Sequence, residues 1–145
     1  MLTAGVIGAV IAAALAWNLT KRLASDRIQR LMDRRRSSSR LVSRGEYLDG
    51  GRHVPVSLAL SGSAFYYESA GSKESLNLEW VEEVTYGHDP VSGHFIGEAR
   101  LLRLLCFDQP YEFLISVDVI RFWQAMLPAH SKATPQKRVA ELAPA

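Results

Sequence analysis

The chain has 145 residues, a net charge of +2 and a single cysteine, Cys106. That length allows one domain, and one cysteine excludes an intramolecular disulfide and fits a reducing compartment. The small net charge conceals a separation. Residues 20–44 hold nine basic and two acidic side chains, a net of +7, whereas residues 45–145 hold eight basic and thirteen acidic, a net of −5. Positive charge confined to one short segment does not read as a nucleic-acid-binding domain, so no nucleic-acid partner is expected.

Residues 1–19 read as a transmembrane anchor. Between Leu2 and Leu19 only Thr3 and Asn18 are polar, and no residue is charged. As a helix this stretch would span about 27 Å, close to the roughly 30 Å of a hydrocarbon core. Trp17 stands where an interfacial aromatic belongs. Ala14-Leu15-Ala16 resembles a signal-peptidase site, but a secretory signal needs a positive segment before the apolar run, and here the basic cluster follows it. By the positive-inside rule the expectation is a single-pass protein of the inner (plasma) membrane, N-terminus out and domain in the cytoplasm. Small residues recur at spacing four (Ala4/Gly8, Gly5/Ala9, Ala9/Ala13, Ala12/Ala16). That pattern permits close helix approach and a homo-oligomer through the anchor. A buried soluble helix is the plainer alternative.

Residues 20–44 read as a basic juxtamembrane stalk. Ala24, Ile28, Leu31 and Met32 form a narrow apolar stripe at helical spacing. Lys21, Arg22, Arg27, Arg30, Arg34, Arg35 and Arg36 flank it and, with Trp17, are the candidate membrane-interface residues, expected to attract anionic lipid. The alternative is a solvated spacer whose arginines only set topology. Residues 34–40, three arginines, three serines and Arg40, read as a flexible break before the domain.

Residues 45–128 change period. Val56, Leu58 and Leu60 alternate with Ser57, Ala59 and Ser61, a half-buried strand. Ser61-Gly62-Ser63 is turn chemistry, and Ala64–Glu68 returns as a hairpin. A loop over 69–75 leads to a strand with Leu76, Leu78 and Trp80, which continues through Val81, Val84 and Tyr86. Residues 87–98 form a loop. Ala99–Phe107 and Tyr111–Ile115 make a second hairpin around Asp108-Gln109-Pro110. Ser116 is a suitable N-cap for an amphipathic helix with Val119, Ile120, Trp123, Met126 and Leu127 on its apolar face. Pro128 ends that helix, and residues 129–145 are expected to be a disordered tail. The fold class is α+β: about six antiparallel strands in a bent sheet or open barrel, plugged by the last helix. Trp123, Leu58, Leu104 and Phe113 are the expected core.

In this order the segments resemble a bacterial PH-like or GRAM-like domain. Val56–Leu60 with Phe65-Tyr66-Tyr67 resembles its first hairpin. Leu76–Val84 resembles its next strand segment. Leu102 and Leu104, Tyr111 and Phe113, and the helix bearing Trp123 resemble its last hairpin and helix. The resemblance implies a domain that binds lipid head groups, peptides or protein partners and has no inherent catalysis. Members that grip phosphoinositides place Lys and Arg in the first hairpin loop; the loop matched to it here, Ser61-Gly62-Ser63, has none.

Residues able to carry chemistry are few. His88, Asp89 and His94 share a loop, but two histidines and one carboxylate make a poor metal set. Cys106 alternates with Leu102 and Leu104 and reads as a core thiol. Glu79, Glu82 and Glu83 read as a solvent face rather than paired catalytic carboxylates. No nucleophile elbow or phosphate-cradling glycine loop occurs. The expectation is a membrane-tethered, non-enzymatic binding module for an unknown protein partner, with no cofactor and no metal. A lipid sensor is the second reading, and an enzyme of unfamiliar type the third.

Overall fold

The computed structural model describes residues 2–88 and 98–132, with side chains from Gly8 onward. It is α+β. Among these residues one long helix, α1 (Leu2–Arg36), leads into eight strands, and a short helix, α2 (Ile120–Met126), lies between the last two of them. The strands are β1 (Leu41–Asp49), β2 (Arg52–Ser61), β3 (Ala64–Glu68), β4 (Lys73–Asn77), β5 (Val81–Gly87), β6 (Arg100–Cys106), β7 (Gln109–Ile115) and β8 (His130–Ser131). They form one open antiparallel sheet in the order β4-β3-β2-β1-β7-β6-β5-β8.

The sheet is strongly bent. β3 and β7 are three places apart in the strand order, which in a flat sheet is about 14 Å. Yet the rings of Phe65 on β3 and Phe113 on β7 are 5.0 Å apart. Curvature of this kind brings inward side chains of β2 to β7 into one core with Trp123 of α2. Leu58, Leu104, Phe113 and Trp123 are all fully buried. The Trp123 ring meets Phe65 edge-on at 5.7 Å, and its indole N–H donates to the Ser43 hydroxyl of β1 at 2.8 Å. The Tyr86 hydroxyl donates to the Leu127 carbonyl at 2.6 Å and ties the end of α2 to β5.

Gly45 sits where β1 passes between β2 and β7. A Cβ there would lie 2.5 Å from Leu58 Cδ1 and 2.9 Å from the Leu114 carbonyl oxygen. The second neighbour is backbone and cannot rotate away. Gly45→Ala should therefore cost about 1–3 kcal/mol as an overpacking change, read as a lower urea midpoint; an unchanged midpoint would mean the strands are not this close.

Four expectations change. First, the anchor. Among the described residues no helix is long and apolar enough to cross a membrane, and this overturns the single-pass, inner-membrane placement. Second, the stalk is not a free spacer with a flexible break. α1 runs unbroken to Arg36 and its second half lies against β1 and β2, with Ile28 only 3% exposed. Third, β1 begins at Leu41 and so straddles the boundary drawn at residue 45. The hairpin to β2 turns on Gly50 and Gly51, both at positive φ, the requirement of a type I′ turn. The first hairpin loop is thus Asp49–Arg52, where Arg52 pairs with Asp49 at 2.7 Å. Fourth, Ser57 and Ala59 are not a wet face. They point away from the core formed by Val56, Leu58 and Leu60, yet they are 1% and 0% exposed, because α1 covers that face. Their small side chains are what let a helix come so close.

Smaller differences follow from packing. Leu78–Trp80 is a single 3-10 turn, capped by the Asn77 side chain accepting from the Glu79 N–H, rather than strand. Trp80 there is exposed against Phe107. Met126 is exposed, and only Ile120, Trp123 and Leu127 of the last helical segment are buried. Ser116 caps the turn before α2 rather than α2 itself. Residues 130–131 extend the sheet as β8. The remainder of the expected tail, 133–145, lies outside the described residues.

Candidate functional site: a basic groove and a projecting apolar helix

Docking of α1 divides the candidate interface residues into groups with different surroundings. Arg35 is held by the fold. Its Nε donates to Glu68 Oε1 at 2.7 Å, and its Nη2 donates to the same oxygen. Its guanidinium also lies 3.9 Å from the centre of the Tyr66 ring. Glu68 is 5% exposed, so this is a largely desolvated pair anchoring the end of α1 to β3. Arg36 lies 3.7 Å from Asp33 in an exposed contact one turn away. The Lys21 ammonium sits 5.2 Å from the Trp17 ring centre, and Arg22 is exposed. Arg44 reaches back to α1, donating to the Ser25 hydroxyl at 2.9 Å and its carbonyl at 3.2 Å.

Arg27, Arg30 and Arg34 form the remaining group. At i, i+3 and i+7 they share one side of α1, and that side faces the loop between β3 and β4. Arg34, with Leu31 and the Arg35–Glu68 pair, forms one wall of a groove of about 490 Å³; Ser69 to Lys73 form the other. A smaller recess of about 180 Å³, lined by Arg27 and Arg30, continues from it through Leu31, Arg34, Ser69 and Ala70. The loop is internally braced. The Ser69 hydroxyl accepts from the Gly71 and Ser72 N–H groups at 3.3 and 3.1 Å and lies 3.1 Å from the Ser72 hydroxyl. The Ser69 N–H donates to the Ser72 carbonyl at 2.9 Å. Ser69, Ser72 and Lys73 carry no motif and lie some forty residues from the arginines, so only the docking of α1 brings them together.

The first half of α1 stands clear of the sheet. Val10, Ile11, Leu15, Trp17, Leu19 and Leu23 are 54–64% exposed and are distributed around the whole helix rather than along one stripe.

The other candidates stay apart from these two surfaces. Cys106 is buried, and burial pushes its thiol pKa up, with Glu82 adding to the rise. That disfavours the thiolate a nucleophile needs. Burial likewise raises the pKa of the Tyr67 and Tyr86 hydroxyls, so both are neutral at ordinary pH. Arg103, on the outward face of β6, pairs with Glu112 of β7 at 2.9 Å. His88 is exposed near Arg100, while Asp89 and His94 lie outside the described residues. Among the described residues no three His, Cys, Asp or Glu side chains converge as a metal site. Comparison of the chain with protein-family models, with curated proteins and with solved structures finds no match.

Proposed function

We propose that this chain is a non-enzymatic interaction module of PH-like architecture that binds a protein partner through the projecting half of α1. The observation that carries the reading is the set of six large apolar side chains between Val10 and Leu23, all more than half exposed. A helix that is apolar on every side is buried in its working state, and exposed apolar patches of this extent mark interaction surfaces. The PH-like part of the reading draws support from the strand order and from a C-terminal helix whose tryptophan enters the core. It also draws support from the way the bent sheet is filled by side chains, which leaves binding to the periphery.

The occupant best suited to such a helix is an apolar groove or helix pair of a different protein. Photocrosslinking from Leu15 and Leu19 of the full chain in its native cells should trap one discrete adduct. Leu15→Lys with Leu19→Lys should abolish that adduct while leaving the urea midpoint of the folded part unchanged, since both side chains are 63% exposed. A diffuse set of adducts, or one unaffected by the lysines, would sink the reading. An adduct of twice the chain's own mass would replace the partner by a second copy.

A further inference from the structure

We propose that the groove between α1 and the β3–β4 loop is a binding site for an anion carrying two or more phosphate groups, held by Arg27, Arg30, Arg34 and Lys73. The site is separate from the apolar half of α1 and does not rest on the protein-partner reading.

Charge is the first support. Arg27, Arg30, Arg34 and Lys73 have no ion pair among the described residues, whereas Arg35, Arg36, Arg52 and Arg103 each do. The only carboxylate lining the groove is Glu68, and it is committed to Arg35. Like charges three and four residues apart on a helix destabilise it, so three unneutralised arginines on one side are a standing cost that a bound anion would relieve. Asp26 and Asp33 are the nearest acids on α1; Asp33 is engaged by Gln29 and Arg36, and neither lines the groove.

Shape and chemistry are the second. The arginines are exposed but border a concave wall, the braced Ser69–Lys73 loop, which contributes two hydroxyls and an ammonium. Because the loop's own hydrogen bonds set its form, little ordering is needed when a ligand arrives. Planar guanidinium forks match phosphate oxygens in pairs, which an ammonium does not. Arg27 and Arg34 are seven residues apart, about 10 Å of helix rise, a span suited to separated phosphates rather than one. No aromatic ring lines the groove, so the base stacking that single-stranded nucleic acid requires is missing.

The phosphates have two possible sources, a free polyphosphate-bearing solute or a phosphorylated lipid head group, and the test separates them. The full chain is titrated with inorganic tripolyphosphate at near-physiological salt, with sulfate at equal ionic strength as the comparison. In parallel it is sedimented with phosphatidylcholine vesicles containing a phosphatidylinositol bisphosphate. Saturable binding of tripolyphosphate over sulfate is expected, and Arg30→Gln with Arg34→Gln should weaken it at least about tenfold, as the loss of two charge-assisted contacts implies. Arg22→Gln, elsewhere on the same helix, should leave it within about twofold of the native value. Both changes replace exposed side chains without partners, so far-UV circular dichroism should be unaltered. Vesicle binding without tripolyphosphate binding, lost in the same double variant, would support the site with a lipid source. No saturable binding in either arm, or equal losses in Arg22→Gln and in the double variant, would overturn it, the latter by showing a diffuse charge effect.

Discussion

Trp123→Ala should lower stability by about 3–5 kcal/mol, the range for removing a buried indole, and that is a large part of the roughly 5–15 kcal/mol a domain possesses. The side chain is fully buried and joins three parts of the fold. Its ring meets Phe65 of β3 at 5.7 Å, its N–H is bonded to Ser43 of β1, and α2 carries it into the open end of the sheet. Deleting it leaves a void beside Phe65 in the core that rigid strands cannot close. Urea unfolding followed by far-UV circular dichroism should show the loss. Trp123→Phe separates the two contributions: it keeps most of the packing and removes only the N–H, so it should cost about 1–3 kcal/mol through the hydroxyl left without its partner. Equal midpoints for the native chain and Trp123→Ala would mean that α2 is not docked in the sheet.

Arg35→Met should have the second large effect, about 3–5 kcal/mol for leaving a buried charge without its partner. The side chains of Arg35 and Glu68 are 17% and 7% exposed, so solvent screens the pair little. The loss should be spatially selective. Arg35 ties α1 to the outer side of β3, and without it amide hydrogen exchange should accelerate over residues 24–36 and in β3 before it does in β6 and β7. Arg35→Met combined with Glu68→Leu should recover much of the loss, because replacing both members of a buried pair by apolar groups is often neutral. If the single variant matches the native chain in both stability and exchange, α1 is not held to the sheet by this contact.

Much of the sheet was legible because its signals are local. Val56, Leu58 and Leu60 alternate, Ala64–Glu68 follows a serine–glycine turn, and Leu102, Leu104 and Cys106 alternate before the turn that leads to β7. Period two on one side of a turn and period two on the other make a hairpin whatever surrounds it. The helix bearing Trp123 was legible for the same reason, at period 3.6. β1 is less legible, because its Arg44 continues the charge cluster before it and Gly45 interrupts the strand pattern. Asp49-Gly50-Gly51 was the turn signal that would have exposed the hairpin.

Half of the candidate site was in reach as well. The arginines of α1 stood out as a run of charge, but a run does not say which members are spent on the fold. Arg34 and Arg35 are adjacent in sequence, yet one lines a groove without a counter-charge while its neighbour is locked to Glu68.

The sequence by itself determined the α+β class, the two central hairpins and the last helix, because alternation, turn residues and amphipathic spacing act over a few residues and need no knowledge of the rest of the chain. The tertiary structure alone decided that α1 folds back over β1 and β2. It decided that Ser57 and Ala59 are covered rather than wet, and that Arg27, Arg30 and Arg34 confront Ser69, Ser72 and Lys73 across a groove. The reason is that a helix stripe as narrow as Ile28, Leu31 and Met32 fits a sheet, a partner or a lipid surface equally well. Which of these it meets depends on the small side chains of Ser57 and Ala59 and on the Glu68 carboxylate on the sheet's outer face, some thirty residues further along the chain.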